Sequence, residues 1–192
     1  HNGIRVRNID ESPLRVRSRV GLSPDFSGLV LAVVAIMESR KGHFILLEAL
    51  AILKQRYLNL SKKLVVWFEG DGIDKKKLIA ETKRRMLGDI VLFVGIEHNI
   101  FSFMNAADLI VLPSIASEDF PNVTIEAMSL GKAVIASSIA GTVEQIIHEQ
   151  TGLLVEPGNA VSLADAIDQF LNVSDLANKY GDAGRKRFQE KF

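Results

Sequence analysis

Two glutamates separated by seven residues, Glu118 and Glu126, are the side chains whose spacing most suggests chemistry. They lie between an apolar run that ends in Leu112-Pro113-Ser114 and a second run that starts at Lys132. This order predicts strand, loop, helix and strand, with Glu118 in the loop and Glu126 in the first turns of the helix. Carboxylates that point into the space above a sheet edge can accept hydrogen bonds from hydroxyl groups. The stretch therefore predicts a site for a polyhydroxyl ligand.

Each glutamate also has a simpler explanation. Glu118 can be an ordinary surface charge in a loop. Acidic residues near a helix N-terminus are favoured by the helix dipole, which applies to Glu126. However, if Asn122 is the N-cap, Glu126 lies one place beyond the capping-box position, so capping explains it poorly. Ligand binding is the better interpretation of Glu126.

Composition narrows the classes of function. The 192 residues are 47% apolar and 24% charged, which is typical of one globular domain. A formal charge of +0 gives no long-range attraction to nucleic acid. The chain has no cysteine, which excludes disulfides and thiolate chemistry, and its four histidines are scattered. We therefore expect neither a nucleic-acid partner nor a metal site.

The apolar runs and the first residues of the chain indicate where in the cell the protein is expected. The longest apolar run, 29–37, is about half as long as a membrane span, so no span is expected. The start, His1-Asn2-Gly3-Ile4, has no initiator methionine and no signal-peptide pattern, which predicts a fragment of a longer chain. The absence of cysteine suits a reducing compartment. We expect a cytoplasmic protein, and peripheral attachment of the full-length protein to a membrane stays open.

Strand-like and helix-like segments alternate along the chain. Strands are predicted at 29–36, 64–68, 90–94, 108–112, 132–136 and 152–155. Helices are predicted at 44–58, 73–87, 100–107, 141–148, 161–171 and 175–191, besides the one after Asn122. Alternation implies parallel pairing and right-handed crossovers. The fold class is therefore α/β, with a doubly wound, parallel, six-stranded, Rossmann-like sheet at 28–192. The polar stretch 1–27 is predicted to be a linker with at most one short helix.

In open α/β sheets, ligands bind beyond the carboxyl ends of the strands. The predicted loops there are 37–42, 70–72, 95–99, 114–122 and 137–142, and four of these five contain glycine. Glycine in such loops either lets backbone approach a ligand or simply makes a tight turn. Lys41, between the first strand and its helix, is well placed to meet a phosphate, although a solvated lysine is an equal alternative.

Two glycine patterns match known nucleotide-binding motifs only in part. Glu69-Gly70-Asp71-Gly72 follows a strand but lacks the third glycine of a dinucleotide fingerprint, because Lys75 stands there. A nicotinamide or flavin cofactor is therefore not expected. Gly131-Lys132 differs from a phosphate loop, because Glu126 replaces its first glycine and Ala133 its serine or threonine. No cofactor is predicted.

The stretch 118–128 resembles the Glu-x7-Glu signature of glycosyltransferase family 4, the group 1 retaining glycosyltransferases. Several further motifs fall in the family's order over nearly the whole chain: Asn2-Gly3-Ile4, Lys41-Gly42, Gly70-Asp71-Gly72, Phe93-Val94-Gly95, Ala107-Asp108, Gly141 with Glu144, and Gly152-Leu153-Leu154-Val155. The resemblance implies the C-terminal, donor-binding half of a GT-B enzyme. Residues 1–27 would be the interdomain hinge, and the N-terminal acceptor domain would be absent from this chain.

The resemblance also implies roles for particular residues. Glu118 would contact the hydroxyls of the transferred sugar, as the catalytic residue, and Glu126 would hold the nucleotide ribose. The other donor-binding residues would be Lys41 and Gly42 at the phosphates, Gly95 and Ile96 at the base, the loop of Phe120, Pro121, Asn122 and Val123 at the sugar and diphosphate, and Gly70. No metal is needed, because basic groups and the helix dipole stabilise the departing diphosphate.

Two positions depart from the family's pattern. Ile36 stands where the family normally has arginine, so one of two diphosphate contacts is missing unless Arg40 replaces it. Pro121 stands where glycine is frequent, and it has no amide to donate.

The resemblance implies a metal-independent retaining hexosyltransferase whose isolated half is inactive. Its donor would be a UDP- or GDP-sugar, and its acceptor a glycan or lipid-linked sugar bound through the missing domain. Two alternatives stay open: a non-catalytic binding or assembly domain of the same fold, and a sugar-nucleotide epimerase.

Overall fold

The computed structural model describes residues 8–116 and 119–192. The strands are β1 (Leu29–Val34), β2 (Leu64–Glu69), β3 (Val91–Gly95), β4 (Leu109–Leu112), β5 (Ala133–Ser137) and β6 (Leu153–Val155). The helices are α1 (Pro13–Arg19), α2 (His43–Arg56), α3 (Lys75–Arg84), α4 (Ile100–Ala106), α5 (Asn122–Ser129), α6 (Ala140–Gln145), α7 (Ala160–Asn172) and α8 (Leu176–Lys191). The predicted elements are confirmed, with boundaries that agree within three residues.

The six strands form one parallel sheet in the order β3-β2-β1-β4-β5-β6. The chain runs outwards from β1 to β3 and then crosses back to β4, so the direction of winding reverses between β1 and β4. A crevice opens above the carboxyl ends of two strands at such a switch point. The predicted doubly wound α/β sheet is therefore confirmed.

Helices cover both faces of the sheet, which explains why the strands read as continuous apolar runs. Side chains of β1 alternate between two cores: Leu31 and Val33 pack against α2, α3 and α7, and Val30 and Ala32 pack against α1, α4 and α5. In β2, Phe68 joins the first core and Trp67 the second. The central strands are therefore packed on both faces of the sheet.

Helix α1 packs on the domain. Val16 is fully buried against α4, and the Arg17 guanidinium donates to the Ala106 carbonyl and to the Asp108 carboxylate, each at 2.8 Å. The short helix expected within the predicted linker is therefore present, and residues 8–27 contribute to the second core. The domain boundary after residue 27 stays a prediction. No helix among the described residues is both long and apolar enough to cross a membrane.

Candidate functional site

A cavity of about 150 Å³ opens at the switch point, above the carboxyl ends of β1 and β4. Four of the residues predicted to bind a donor line it: Lys41, Pro121, Asn122 and Val123. The rest of its wall is supplied by the ends of the two strands and the turn at Pro113 and Ser114. The structure thus brings together a lysine from the β1–α2 loop and the start of α5, which are about eighty residues apart in sequence.

Gly42 positions Lys41 at the rim of this cavity. Lys41 ends a short 3-10 turn, Ser39–Lys41, and Gly42 follows with a φ of 72°, which favours glycine. A Cβ atom on Gly42 would lie 1.8 Å from the carbonyl oxygen of Pro113. The Ile115 amide donates to the Arg40 carbonyl at 2.8 Å, which joins the same two loops a second time. Gly42 is therefore required for loop-to-loop packing, which brings Lys41 close to β4, and its contact with the donor phosphates stays a prediction.

Helix α5 begins at Asn122, with Pro121 as its extended cap residue. The backbone amides of Asn122 and Val123 lie in the first helical turn, so they have no acceptor within the helix and are available to an anion. Glu126 is half-buried and is the fifth residue of α5. The assumed N-cap at Asn122 is thus one residue late, and Glu126 lies even further from the capping-box position. Glu118 lies outside the described residues.

Two elements hold the loop before α5 from behind. The side-chain amide of the fully buried Gln145, at the end of α6, donates to the Pro121 carbonyl at 3.2 Å. The Arg187 guanidinium of α8 donates in turn to the carbonyls of Gln145 and the residue before it, at 2.8 and 2.7 Å. The Phe120 ring packs edge-on against Phe192, with centroids 5.9 Å apart. The C-terminal helix therefore supports the loop that precedes α5.

The predicted donor-binding residues Gly70, Gly95 and Ile96 lie at the ends of β2 and β3. Gly70 has a φ of 116°, and a Cβ atom there would lie 2.3 Å from the Ala35 carbonyl oxygen. Its amide donates to the Gly95 carbonyl at 2.8 Å. Gly95 has a φ of 80° but faces open space, and Ile96 is 70% exposed. Gly70 is thus explained by packing, whereas Gly95 and Ile96 present an accessible apolar edge.

The chain matches the family model for glycosyl transferases group 1 over residues 24–187. It belongs to this family. It is 27% identical over 194 residues to the capsular polysaccharide biosynthesis glycosyltransferase CapM of Staphylococcus aureus, covering 100% of this chain and 49% of CapM. It is 30% identical over 178 residues to the lipopolysaccharide core biosynthesis glycosyltransferase LpsD of Rhizobium meliloti, covering 91% of this chain and 49% of LpsD.

A solved structure shares the fold. The crystal structure of Anabaena Alr3699/HepE in complex with UDP and glucose superposes with a TM-score of 0.82 at 26% identity, over 94% of this chain and 48% of that protein. The same protein is also known in complex with UDP-glucose. The structural neighbours are GT-B glycosyltransferases. The chain spans about half the length of the curated relatives it matches.

The candidate site of this group 1 family member has few basic side chains. Ile36, at the family's usual arginine position, is 46% exposed. The Arg40 guanidinium donates to the Glu38 carboxylate at 3.0 Å, and Arg40 is absent from the residues that line the cavity. A contact of Arg40 with the diphosphate, in place of the missing arginine, stays a prediction. Lys41 is the cationic side chain of the cavity wall.

Glu69 is a buried carboxylate that the sequence argument did not single out. It ends β2, is 7% exposed, and accepts a hydrogen bond from the Glu97 amide at 3.0 Å. Burial raises its pKa. The Glu97 carboxylate is held by Arg19 of α1, with contacts of 2.8 and 3.0 Å. Glu69 and Arg19 together fix the loop at Gly95. The sequence feature that could have indicated a role for Glu69 is its charge at the end of an otherwise apolar strand.

His43, directly after Gly42, is buried behind the Lys41 loop. Its ring meets Phe68 edge-on with centroids 5.0 Å apart, and neither ring nitrogen has a hydrogen-bond partner within the described part of the chain. Burial, with a smaller contribution from Lys41, lowers the pKa of His43 to about 4. His43 is therefore neutral at pH 7 and acts as a packed core side chain.

Across residues 8–116 and 119–192, no three His, Asp or Glu side chains come close enough together to hold a metal ion. The polar groups assembled at the cavity are instead an ammonium and helix-terminal amides. Such groups are suited to an anionic ligand with several oxygen acceptors.

Proposed function

We propose that this chain is the nucleotide-sugar-binding domain of a retaining, family 4 glycosyltransferase that transfers a hexosyl group to a glycan or lipid-linked acceptor. The observation that supports this most strongly is the cavity where Lys41 meets the first amides of α5 across the switch point. Membership of the group 1 family supports it independently. The HepE complexes favour a UDP-sugar over a GDP-sugar as the donor.

In this proposal the diphosphate lies between Lys41 and the amides of Asn122 and Val123. As the bond from sugar to diphosphate breaks, negative charge grows on the departing oxygens. An ammonium and oriented helix amides stabilise that charge without having to reorganise. They supply the positive potential for which other transferases use a divalent cation, so the reaction is proposed to need no metal. Lys41 thus assists departure of the leaving group.

The remaining contacts follow the geometry of the surrounding loops. Glu126, half-buried in α5, is proposed to accept hydrogen bonds from the ribose hydroxyls. Gly95 and Ile96 are proposed to border the base, since both are open to solvent beside Gly70. Glu118 is proposed to accept from the sugar hydroxyls. Transfer with retention then occurs on the face from which the diphosphate leaves.

The acceptor is proposed to bind a second domain that precedes residues 1–27, which would act as the hinge. The chain's coverage of 49% of CapM and of LpsD leaves room in such proteins for a domain of similar size. The isolated chain is therefore expected to bind the donor without transferring its sugar.

Calorimetric titration of the chain with UDP, GDP, ADP and the corresponding nucleotide sugars tests the donor site. We expect Lys41→Met to weaken binding about tenfold or more, because one charge-assisted contact is lost. Lys76→Met on α3 is the matched control, since Lys76 is exposed and lies outside the cavity lining. A folded chain that binds none of these nucleotides at millimolar concentration would show that the proposed donor site is wrong.

Ile36 favours a second candidate, a non-catalytic binding or assembly domain, because it removes one of the two expected cationic contacts. Full-length protein with Glu118→Ala would then keep its biological role. Ile36→Arg provides the complementary test: a marked gain in nucleotide affinity would show that the site had lost a contact that an active enzyme uses. An unchanged affinity, together with loss of the role in Glu118→Ala, would instead support the transferase.

A further inference from the structure

A second, larger cavity lies at the opposite edge of the sheet. Its volume is about 610 Å³, and it is lined by residues at or just before the amino ends of β1, β4 and β5, such as Leu29, Asp108 and Lys132. β1 has six residues and separates the two cavities by about 20 Å. The amino-edge cavity, as we call it, is therefore no part of the proposed donor site.

Positive charge is in excess in the amino-edge cavity. Its charged lining residues are Arg17, Lys62, Lys63, Lys132, Asp108 and Asp175. Both acidic groups already have donors: the Asp108 carboxylate accepts from Arg17 and from the Val30 amide, each at 2.8 Å, and that of Asp175 accepts from Asn178 at 2.6 Å. The cations other than Arg17 form no salt bridge within the described residues.

Lys132 is the most constrained of these cations. It is half-buried, and its ammonium donates to the Asn105 carbonyl at 2.6 Å, its one hydrogen bond to the described residues. An ammonium has three donors, so two remain for other acceptors. Burial lowers the pKa of Lys132, which means that its charged form is poorly compensated. An anion in the cavity would compensate that charge.

The cavity wall is also partly apolar. Leu29, Phe170, Leu171 and Val173 line it, and Val173 is 51% exposed. Beside this wall, the ammonium of the lining residue Lys63 lies 5.5 Å from the centroid of the Tyr57 ring, and the next residue, Leu58, is 98% exposed. A ligand that fits this wall has an apolar portion beside its anionic group.

We propose that the amino-edge cavity binds a phosphate group that belongs to a partly apolar molecule. Three lysine ammoniums, from Lys62, Lys63 and Lys132, act as point charges around an anionic phosphate, a role to which lysine is suited. The phosphate can come from a free phosphorylated compound or from a phospholipid headgroup, and the same cations serve both.

Two probes separate these sources in the 192-residue chain. Inorganic pyrophosphate is titrated while backbone amide shifts are followed by NMR. Vesicles of phosphatidylglycerol and phosphatidylcholine, or of phosphatidylcholine alone, are sedimented with the protein. Lys62→Gln/Lys63→Gln is compared with Lys76→Gln/Lys83→Gln, which removes the same charge from exposed positions on α3. Lys132→Gln keeps a donor for Asn105 and removes the buried charge. Thermal unfolding checks that each variant is folded.

We expect Lys62→Gln/Lys63→Gln and Lys132→Gln each to weaken the binding about tenfold or more, and the α3 variant to leave it unchanged. Pyrophosphate shifts at Lys132, Ser174 and Asn178 would identify a soluble phosphate source. Sedimentation only with the vesicles that contain phosphatidylglycerol, weakened by the same lysine variants, would identify a lipid headgroup. Absence of binding to both probes, equal effects of both double variants, or shifts confined to Lys41 and Asn122 would each overturn the proposal.

Discussion

The two edges of this sheet are built in different ways. At the carboxyl edge, loops meet backbone to backbone: a Cβ atom on Gly42 would lie 1.8 Å from the Pro113 oxygen, and one on Gly141 would lie 1.9 Å from the Asp119 oxygen. At the amino edge, glycines also make close backbone contacts, since a Cβ atom on Gly181 would lie 2.0 Å from the Gly131 oxygen, but charged side chains join the elements as well, with Asp108 at the centre. Glycine contacts bring loop amides close together around a small cavity. Side-chain contacts leave a wide cavity with charged walls.

The backbone contacts at the carboxyl edge should be the most sensitive to substitution. Gly42→Ala combines a φ of 72° with a Cβ clash against Pro113. Left-handed backbone costs about 1–2 kcal/mol for an L-residue, and overpacking adds about 1–3 kcal/mol. We expect a loss of roughly 4 kcal/mol in the free energy of unfolding, measured by urea denaturation.

Other glycines of the chain separate these two costs. Gly95→Ala adds a left-handed residue in open space, Gly141→Ala adds a clash, and Gly88→Ala does neither. The expected losses are therefore intermediate for Gly95→Ala and Gly141→Ala and smallest for Gly88→Ala. If Gly42→Ala were as mild as Gly88→Ala, the close loop contact at the carboxyl edge would be wrong.

Acid should lower the stability of the folded chain through His43, which is buried near the carboxyl edge. Its pKa falls from 6.5 to about 4 on folding, through burial and the nearby Lys41, against an opposing effect of Asp74. Between these values the unfolded chain binds the extra proton, so stability is lost as the pH falls from about 6.5 to 4. The expected loss is about 3 kcal/mol, measured by urea denaturation at several pH values.

His43→Leu is the matched variant, since leucine is of similar size and does not titrate. The stability difference between the unmodified chain and His43→Leu should change by about 3 kcal/mol over that pH window and be constant above it. Glu69, whose burial raises its pKa, acts in the opposite sense in both proteins and cancels in the difference. A difference that does not vary with pH would contradict the buried, neutral His43.

At the amino edge, substitution of Asp108 should lower the free energy of unfolding mainly because a hydrogen-bond acceptor is lost. Asp108→Ala leaves the amide of the fully buried Val30 without its partner and releases Arg17. We expect a loss of about 2 kcal/mol on chemical denaturation. Asp108→Asn, which retains an acceptor for Val30, should lose about 1 kcal/mol or less, because the ion pair with Arg17 is partly exposed.

Asp89→Ala serves as a surface control, with an expected change within about 0.5 kcal/mol, because Asp89 is exposed. Equal losses for Asp108→Ala and Asp108→Asn would show that the ion pair, and not the Val30 amide, joins this edge. Such a result would set the amino edge apart from the loop contacts at Gly42 and Gly141, which are uncharged backbone contacts.

The local pattern of the sequence was enough for the elements and the fold class. Apolar runs such as 29–36 and the turns at Gly70 and Gly95 are short-range signals, and strict alternation of strands and helices leaves few topologies. The order of motifs around Glu126 was also enough to indicate the family. Glu118 and Glu126 keep their proposed ligand roles as predictions.

Contacts between distant segments were decided by the tertiary structure alone. From the sequence, Gly42 is equally well explained by a turn or by a ligand, and only the structure shows that it packs against Pro113. No local sequence pattern indicates the hydrogen bond from Gln145 to Pro121. The amino-edge cavity gathers charges from Arg17 to Asp175, which only the packing of α1 and α8 brings together. The sequence determines which residues can do chemistry, and close packing across the sheet determines which of them meet.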